Sequence, residues 1–382
     1  MQQEPFVRPV RRPIPYVRVL IVDGSIEVCR LLTELLSAED PDIDVIGVAT
    51  DACTAREYIK QLRPDVVTLD IEMPGLDGLT FVRDLMRFRP MPVVIVSSLT
   101  AKGVEPTLDA LAMGAVDCLP RPTLGLVATV SDYGEELRAR IKAAARARVR
   151  DYESHGSCRP RTAAAPPVTV DAVVMTFGTH RLLRRTERII AIGASPGGAE
   201  AIRQILTQLP ADMPGVLVIQ HLPGALGSAF VLRLNACCRM QVCEARDGQP
   251  VLPGHVYFAP GDRHLLLARD GSRHLCRLVD GPPVNRRKPS ADVLFRSIAR
   301  EVGRAAIGVI LTGTGKDGAL GLREMREAGC ATMAQDEATS VAWGMPGEAV
   351  AIGAAAEALP LLSIAARLQV LTSCADLTPA AT

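Results

Sequence analysis

The sequence predicts two α/β domains joined by a linker, each domain built on a parallel sheet. The chain has 382 residues, and at about 150 residues per domain this favours two or three domains. Hydrophobic residues make up 48% and charged residues 22%, so the chain can bury real cores. In both halves, short apolar runs alternate with amphipathic stretches, which is typical of a doubly wound parallel sheet.

The first domain is expected over residues 16–150. Apolar runs predict its five strands at 17–22, 45–49, 66–71, 93–97 and 116–119. Apolar residues at helical spacing predict the helices between them, at 26–38, 53–63, 79–87 and 107–113. A last and increasingly basic helix is expected at 132–150.

Residues 151–187 change in character and are expected to form an interdomain linker. They contain the run AAAPP at 163–167 and scattered arginines. The second domain is expected over 188–370, with strands at 188–192, 215–220, 306–312 and 331–334, and helices at 199–209, 291–302 and 320–328. Within it, residues 240–280 carry short β runs at 255–259, 265–268 and 273–278, which predict an inserted antiparallel hairpin.

Composition argues against several classes of function. The formal net charge of +1 gives no reason to expect nucleic acid or an anionic membrane as the main partner. The ten cysteines are scattered without a C-x-x-C pair, which favours reduced thiols over a zinc site or a disulfide framework. No secretory signal and no long apolar segment is present, so a cytoplasmic protein without membrane insertion is expected.

Three residues suited to acyl transfer come shortly after predicted strands of the second domain. They are Ser195, His221 and Asp317. In an open parallel sheet the loops at the carboxyl ends of the strands converge on one edge. A nucleophile, a base and an orienting carboxylate at that edge are the parts of a serine hydrolase.

The glycines near these residues allow other interpretations. The loop GASPGG at 193–198 lacks the G-x-G-x-x-G spacing of a dinucleotide site, and the following strand leads to His221 instead of an acidic residue. A P-loop is also excluded, because Gly198 is not followed by lysine and a hydroxyl residue. Two alternatives stay open on spacing alone: His221 as a structural histidine, and the loop at 313–318 as a phosphate cradle.

Longer motifs support the hydrolase interpretation. In the second half they are 192–198, 220–223 (QHLP), 247–261 (DGQPVLPGHVYFAPG), 280–294 (DGPPVNRRKPSADVL), 308–318 and 344–346 (GMP). In these motifs the chain resembles the bacterial chemotaxis protein-glutamate methylesterases, the CheB family. The first half resembles a response-regulator receiver, which is flavodoxin-like, and PVVIVSSLT at 92–100 also matches the family.

The resemblance implies a serine hydrolase with Ser195, His221 and Asp317 as its triad and with no cofactor for catalysis. The implied substrates are γ-glutamyl methyl esters on cytoplasmic helices of chemoreceptors, and selected receptor glutamines that are deamidated. The family usually has threonine at Pro196 and methionine at Thr314. Because proline has no N–H, any oxyanion hole must use other amides, such as those around Thr314 or His221.

For the receiver, the resemblance implies that Asp70 accepts a phosphoryl group from a chemotaxis histidine kinase. Asp23, Asp70 and Glu72, through its carbonyl, would hold Mg²⁺. Ser97 and Arg121 would sense the phosphate.

Two residues depart from the receiver pattern. Gly24 stands where the family has a second acid, and this removes a metal-binding carboxylate. Arg121 stands where the family has lysine, and its planar fork differs from a compact ammonium. We therefore expect Asp70 to be phosphorylated slowly, or only at high Mg²⁺.

The sequence favours a methylesterase and deamidase that its receiver regulates. A non-catalytic signalling protein, with both domains as binding modules, is an alternative that Gly24 and Arg121 keep open. A third possibility is an esterase of the same chemistry that acts on a different receptor array or in another pathway.

Overall fold

A computed structural model describes residues 16–37, 41–73, 78–98, 103–122, 130–147, 149 and 188–373. The linker predicted at 151–187 lies outside these residues. Among them, no helix is long and apolar enough to cross a membrane.

The first domain is a five-stranded parallel sheet with the strand order β2-β1-β3-β4-β5. Its strands are β1 (Val17–Val22), β2 (Ile43–Ala49), β3 (Val66–Leu69), β4 (Val93–Ser97) and β5 (Asp117–Pro120). Its helices are α1 (Ile26–Ser37), α2 (Ala52–Leu62), α3 (Gly78–Phe88), α4 (Val104–Ala112) and α5 (Val130–Ala145). The predicted doubly wound sheet is confirmed.

Local sequence explains these elements. Every residue of β3 and β4 is buried, as expected for parallel strands that are covered by helices on both faces. The helix α2 begins after Asp51, whose Oδ1 accepts a hydrogen bond from the backbone N–H of Thr54 at 2.9 Å. In α3 the buried side chains include Phe81, Leu85 and Met86, a spacing that places them on one face towards the sheet.

The second domain is built on a seven-stranded parallel sheet with the order β14-β13-β12-β6-β7-β9-β8. Its strands are β6 (Ile189–Ala194), β7 (Gly215–Gln220), β8 (Gln241–Glu244), β9 (His255–Phe258), β12 (Ala306–Ile310), β13 (Ala331–Gln335) and β14 (Glu357–Leu359). Its helices are α6 (Gly198–Gln208), α7 (Gly224–Cys237), α8 (Ala291–Glu301), α9 (Ala319–Glu327), α10 (Met345–Ala351) and α11 (Leu361–Ser373).

The predicted antiparallel hairpin is present as β10 (His264–Asp270) and β11 (Arg273–Val279). It packs on α8, where the Oγ of Ser297 accepts a hydrogen bond from the N–H of Leu267 at 2.9 Å. The sequence places the run at 255–259 in the insertion, but in the structure His255–Phe258 form β9 of the main sheet and pair in parallel with β7 and β8. The sequence also missed α7, whose early glycines obscure the helical pattern.

The two domains contact each other through α4 of the receiver and α6 and α7 of the second domain. Buried side chains from both sides, including Leu108, Leu111 and Phe230, belong to one continuous apolar cluster. Asp109 and Arg233 form an ion pair at the same contact. The receiver is therefore docked on the second domain by apolar burial as well as by charge.

Candidate active site

Three neighbouring strands bring the predicted catalytic residues together. Strand β6 pairs with β7 on one side and with β12 on the other, and all three run parallel. Ser195 follows β6 directly, His221 follows β7 directly, and Asp317 lies in the loop between β12 and α9. Because the strand order reverses at β6, the site lies where open α/β sheets place their ligand crevice.

The hydroxyl of Ser195 lies within hydrogen-bonding distance of His221. The Nδ1 atom of the imidazole is 3.1 Å from Oγ. For Nδ1 to accept the hydroxyl proton, the ring must carry its own proton on Nε2. Both side chains are buried, so water competes little for this contact.

The other ring nitrogen of His221 faces Asp317. The Nε2 atom lies 3.2 Å from Oδ2, but the N–H direction is not aligned with that oxygen, so the contact is electrostatic more than a formed hydrogen bond. Burial lowers the pKa of His221, and nearby Arg287 and Arg140 lower it further, while Asp317 opposes them. The imidazole is therefore neutral at pH 7, as a general base must be.

Asp317 is held by the beginning of α8. Its Oδ1 accepts from the hydroxyl of Ser290 at 2.6 Å and from the amide of Asn285 at 3.2 Å, and its Oδ2 accepts from the N–H of Ala291 at 2.7 Å. Burial alone would raise the pKa of Asp317, but the interactions with His221, Ser290 and Ala291 outweigh it and lower the pKa. The group is thus a fixed carboxylate beside the histidine.

Close backbone approaches hold the loops around Ser195. Gly313 lies so near the nucleophile that a Cβ there would be 3.0 Å from the Cβ of Ser195 and 2.3 Å from the sulfur of Met345. Gly197 has a φ of 76°, and a Cβ on it would be 2.7 Å from Val341. Gly313 is therefore required because there is no space for a side chain. Gly197 is required for the same reason and also because its backbone is left-handed.

The backbone amides near Ser195 differ in what they bind. Pro196 has no N–H, and the N–H of Gly198 donates to the carbonyl of Ser195 at 2.7 Å. The N–H of His221 donates to the carbonyl of Ala194 at 3.3 Å. Within the described part of the chain, the N–H groups of Thr314 and Gly315 donate to no partner.

Sequence reasoning missed the residues that hold the triad in place. Ser290 and Asn285 lie within the DGPPVNRRKPSADVL motif, but the motif by itself predicts no role for them. A signal for Ser290 was available, because serine directly before a predicted helix is a favoured N-cap. Here its hydroxyl turns to Asp317 instead of capping the helix.

The receiver reaches this site through charged side chains of α5. Glu136 lies 2.6 Å from Arg140 of the same helix and 3.2 Å from Arg287 of the second domain. Arg140 also pairs with Asp117 at 2.7 Å. Burial alone would raise the pKa of Glu136, but the two arginines outweigh it and lower the pKa, so the residue is ionised.

A backbone contact joins the receiver to the loop of the nucleophile. The N–H of Gly197 donates to the carbonyl of Val116, just before β5, at 3.1 Å. Gly197 is two residues beyond Ser195, and Val116 belongs to the receiver. The receiver therefore covers part of the wall of the candidate active site.

The predicted phosphorylation site also lies at the carboxyl edge of its sheet. Asp23 follows β1 and Asp70 follows β3, and both are buried. Nη2 of Arg121 lies 2.7 Å from Oδ1 of Asp23 and 2.6 Å from Oδ2 of Asp70, so one guanidinium bridges both carboxylates. Burial raises the pKa of Asp70, although the N–H of Glu72 and the charge of Arg121 oppose the effect.

The remaining receiver residues lie around this pair. Ser97 ends β4 and is buried, with no hydrogen-bond partner for its Oγ among the described residues. The N–H of Glu72 donates to Oδ1 of Asp70 at 3.1 Å, while its carboxylate accepts from the hydroxyl of Ser98. Across the described ranges, no group of three or more His, Cys, Asp or Glu side chains is placed to hold a metal ion.

Comparison with known proteins matches both domains. Residues 190–368 match the family model of the CheB methylesterase, and residues 19–125 match the response regulator receiver domain. The chain is 51% identical to protein-glutamate methylesterase/protein-glutamine glutaminase 1 of Xanthomonas campestris over 94% of this chain and 98% of the relative.

Two further proteins illustrate the same similarity. The chain is 46% identical to a protein-glutamate methylesterase/protein-glutamine glutaminase of Hydrogenovibrio crunogenus, over 91% of this chain and 96% of that one. The crystal structure of the Thermotoga maritima CheB methylesterase catalytic domain is 34% identical, with a TM-score of 0.47, and covers 48% of this chain and 97% of its own.

Proposed function

The chain belongs to the CheB methylesterase family, and we propose that it hydrolyses γ-glutamyl methyl esters of chemoreceptors with Ser195, His221 and Asp317. It also deamidates selected receptor glutamines to glutamate, the second activity in the names of its relatives. The observation that carries this proposal is the line of three side chains from Ser195 Oγ through the imidazole to the carboxylate of Asp317.

In the first half of the reaction, the Oγ of Ser195 attacks the ester or amide carbonyl while Nδ1 of His221 takes the hydroxyl proton. The imidazolium that forms is stabilised by the carboxylate of Asp317 next to Nε2. The tetrahedral intermediate collapses as Nδ1 returns the proton to the departing methanol or ammonia. This step leaves a glutamyl ester on Ser195.

In the second half, water attacks the acyl-enzyme, and His221 again accepts and then returns a proton. Glutamate leaves and the hydroxyl of Ser195 is restored. The unpaired N–H groups of Thr314 and Gly315 supply the donors for the oxyanion, because Pro196 cannot donate. One such donor stabilises the transition state by about 2.7–4 kcal/mol.

The experiment that tests this proposal measures methanol release from methylated cytoplasmic fragments of chemoreceptors. Release by the wild-type chain, lost in Ser195→Ala, is the expected result. Ser228→Ala serves as the matched control, since Ser228 lies on α7 with its hydroxyl directed to Glu244. Equal release by wild type and Ser195→Ala would contradict the assignment of the nucleophile.

For the receiver, we propose that Asp70 is the phosphoacceptor and a chemotaxis histidine kinase the donor. The donor set around it suits Mg²⁺ only in part. Asp23 and Asp70 present carboxylates, and Oδ2 of Asp23 is buried without a hydrogen-bond partner among the described residues, which suits a cation. Arg121 already compensates both carboxylates, however, so these oxygens fit the metal only after its guanidinium has moved.

The boundaries of the domains follow from the same assignment. We place the receiver at 16–150, the linker at 151–187 and the catalytic domain at 188–370. The chain is proposed to act in the cytoplasm, where its proposed substrates, the cytoplasmic helices of chemoreceptors, are found.

A further inference from the structure

A tight turn beside the triad carries two adjacent arginines. Val284 and Arg287 exchange two backbone hydrogen bonds, of 2.9 and 3.0 Å, around Asn285 and Arg286. The two central residues have φ values of 52° and 62°, as the central residues of a type I′ turn require. Arginine is an unfavourable residue for this backbone, so local propensity does not explain its presence there.

The turn is fixed to the catalytic machinery. The side-chain amide of Asn285 donates to Oδ2 of Asp292 at 2.6 Å and to Oδ1 of Asp317 at 3.2 Å. Arg287 is near enough to His221 to lower the pKa of the imidazole. The position of the two arginines relative to the nucleophile is therefore set by the same contacts that set the triad.

In this structure the arginines bind two consecutive glutamates of a helix. Arg286 lies 2.7 Å from Glu135, and Arg287 lies 3.2 Å from Glu136, both on α5 of the receiver. The Arg286 side chain is 85% exposed and contributes little to docking, whereas Arg287 is only 22% exposed. The site next to the nucleophile thus already holds a helix that presents carboxylates.

We propose that Arg286 and Arg287 form a carboxylate clamp for the substrate helix, and that α5 occupies this clamp as a mimic of the substrate. The inference rests on the proposed function, because that substrate is a helix whose reactive residue is a glutamyl ester and whose product is glutamate. When the receiver leaves, the clamp binds carboxylates next to the reactive ester and positions the ester carbonyl at Ser195.

The clamp differs from a simple tether in what its removal does. Removing a tether frees the active site for every substrate. Removing a clamp frees the site for a small ester but also removes the contacts that hold the receptor helix. Binding of a helix and binding of the receiver therefore depend on the same two side chains.

The test uses the full-length chain at pH 8, where the imidazole is neutral, with two substrates. One is a methylated cytoplasmic receptor fragment, followed by methanol release. The other is p-nitrophenyl acetate, which carries no carboxylate. The variants are Arg286→Gln/Arg287→Gln, Glu135→Gln/Glu136→Gln, and Arg233→Gln as a matched control, because Arg233 forms another ion pair between the domains.

Only the arginine variant is expected to change the preference of the enzyme for the receptor fragment over p-nitrophenyl acetate. Its kcat/KM for the receptor fragment falls about ten- to a hundredfold relative to that for p-nitrophenyl acetate, mainly through KM, because bonds to charged groups are lost. The glutamate variant gains activity on both substrates, and Arg233→Gln keeps the wild-type preference. Arg287→Lys keeps the positive charge, so it should retain part of the preference for the receptor fragment that Arg286→Gln/Arg287→Gln loses.

An arginine variant that gains activity equally on both substrates would overturn the clamp and leave only a tether. A glutamate variant that loses activity on the receptor fragment would overturn the mimicry. A wild-type chain that hydrolyses p-nitrophenyl acetate but releases no methanol from the fragment would overturn the proposed substrate, and the clamp with it.

Discussion

The guanidinium of Arg121 lies 2.6 Å from the Oδ2 of Asp70, the residue proposed to accept the phosphoryl group. The same nitrogen lies 2.7 Å from Asp23, so a fixed cation stands between the two carboxylates that a metal ion would need. The Arg121 side chain is 24% exposed, so this pair is only partly screened by water. The guanidinium therefore offsets part of the cost of burying the carboxylates of Asp23 and Asp70.

Phosphorylation of Asp70 is therefore expected to be slow and to require high Mg²⁺. A Gly24→Asp/Arg121→Lys variant restores a carboxylate and replaces the planar fork by a compact ammonium, so it should reach half its maximal rate at lower Mg²⁺. The measurement is labelling by acetyl phosphate across a range of Mg²⁺ concentrations. Asp70→Asn is the control, and identical curves for wild type and variant would show that the receiver is not impaired.

Asp317→Asn should reduce ester hydrolysis by about 10⁴-fold, as in other triads where this change leaves the histidine in the wrong tautomer. The amide group introduced by this change would also direct an N–H donor at Ser290 or Ala291. Both of these residues donate hydrogen bonds to the carboxylate of Asp317 in the native chain. Steady-state kinetics on a small ester measure the loss. Asp270→Asn, at the exposed end of β10, is the control, and near-normal turnover of Asp317→Asn would remove this residue from the mechanism.

The pH profile should report a histidine base with a lowered pKa. His221 is active when neutral, so kcat/KM is lost as the pH falls through its pKa. Because burial and the nearby arginines lower that pKa, the acidic limb is expected below the usual histidine value of about 6.5. A midpoint at or above that value, measured with an uncharged ester, would contradict the environment described for the imidazole.

Phe295 packs next to the two loops that carry Ser195 and Asp317. Its side chain is fully buried, and its ring packs against the backbones of Gly193 and Gly318. Phe295→Ala should cost about 3–5 kcal/mol of unfolding free energy and lower kcat by loosening the loops. Thermal unfolding and kinetics on a small ester measure both effects.

The matched control for this change is Phe81→Ala, which removes a buried phenyl ring from α3 of the receiver. It should destabilise the receiver without lowering kcat on the small ester. Equal losses of kcat in the two variants would mean that global destabilisation, and not the support of the loops, causes the effect.

Cleavage within 151–187 should yield a catalytic fragment at least as active as the whole chain. In the intact chain, the carbonyl of Val116 in the receiver accepts a hydrogen bond from Gly197, and Glu136 of the receiver pairs with Arg287 in the turn beside the active site. Once it dissociates, these contacts are lost and the site is open. Limited proteolysis followed by activity on a small ester gives the measurement, and an unfolded or markedly less active fragment would refute the inhibitory role of the receiver.

Much of the molecule was predictable from local sequence. Apolar runs of strand length predicted the sheets, because parallel strands buried on both faces must be apolar throughout. The positions of Ser195, His221 and Asp317 after three such runs predicted that they would meet, because the carboxyl ends of parallel strands share one edge. The hairpin at β10 and β11 followed in the same way from its short β runs and turn residues.

Other features depend on contacts between distant segments, and only the tertiary structure decided them. Arg287 and Glu136 are 151 residues apart, and their pairing depends on how the two domains pack. Side-chain directions decide that Arg121 bridges Asp23 and Asp70. They also decide that the hydroxyl of Ser290 donates to Asp317. Periodicity fixes which face of an element is buried, but it does not determine which polar groups meet there, because that depends on packing between elements.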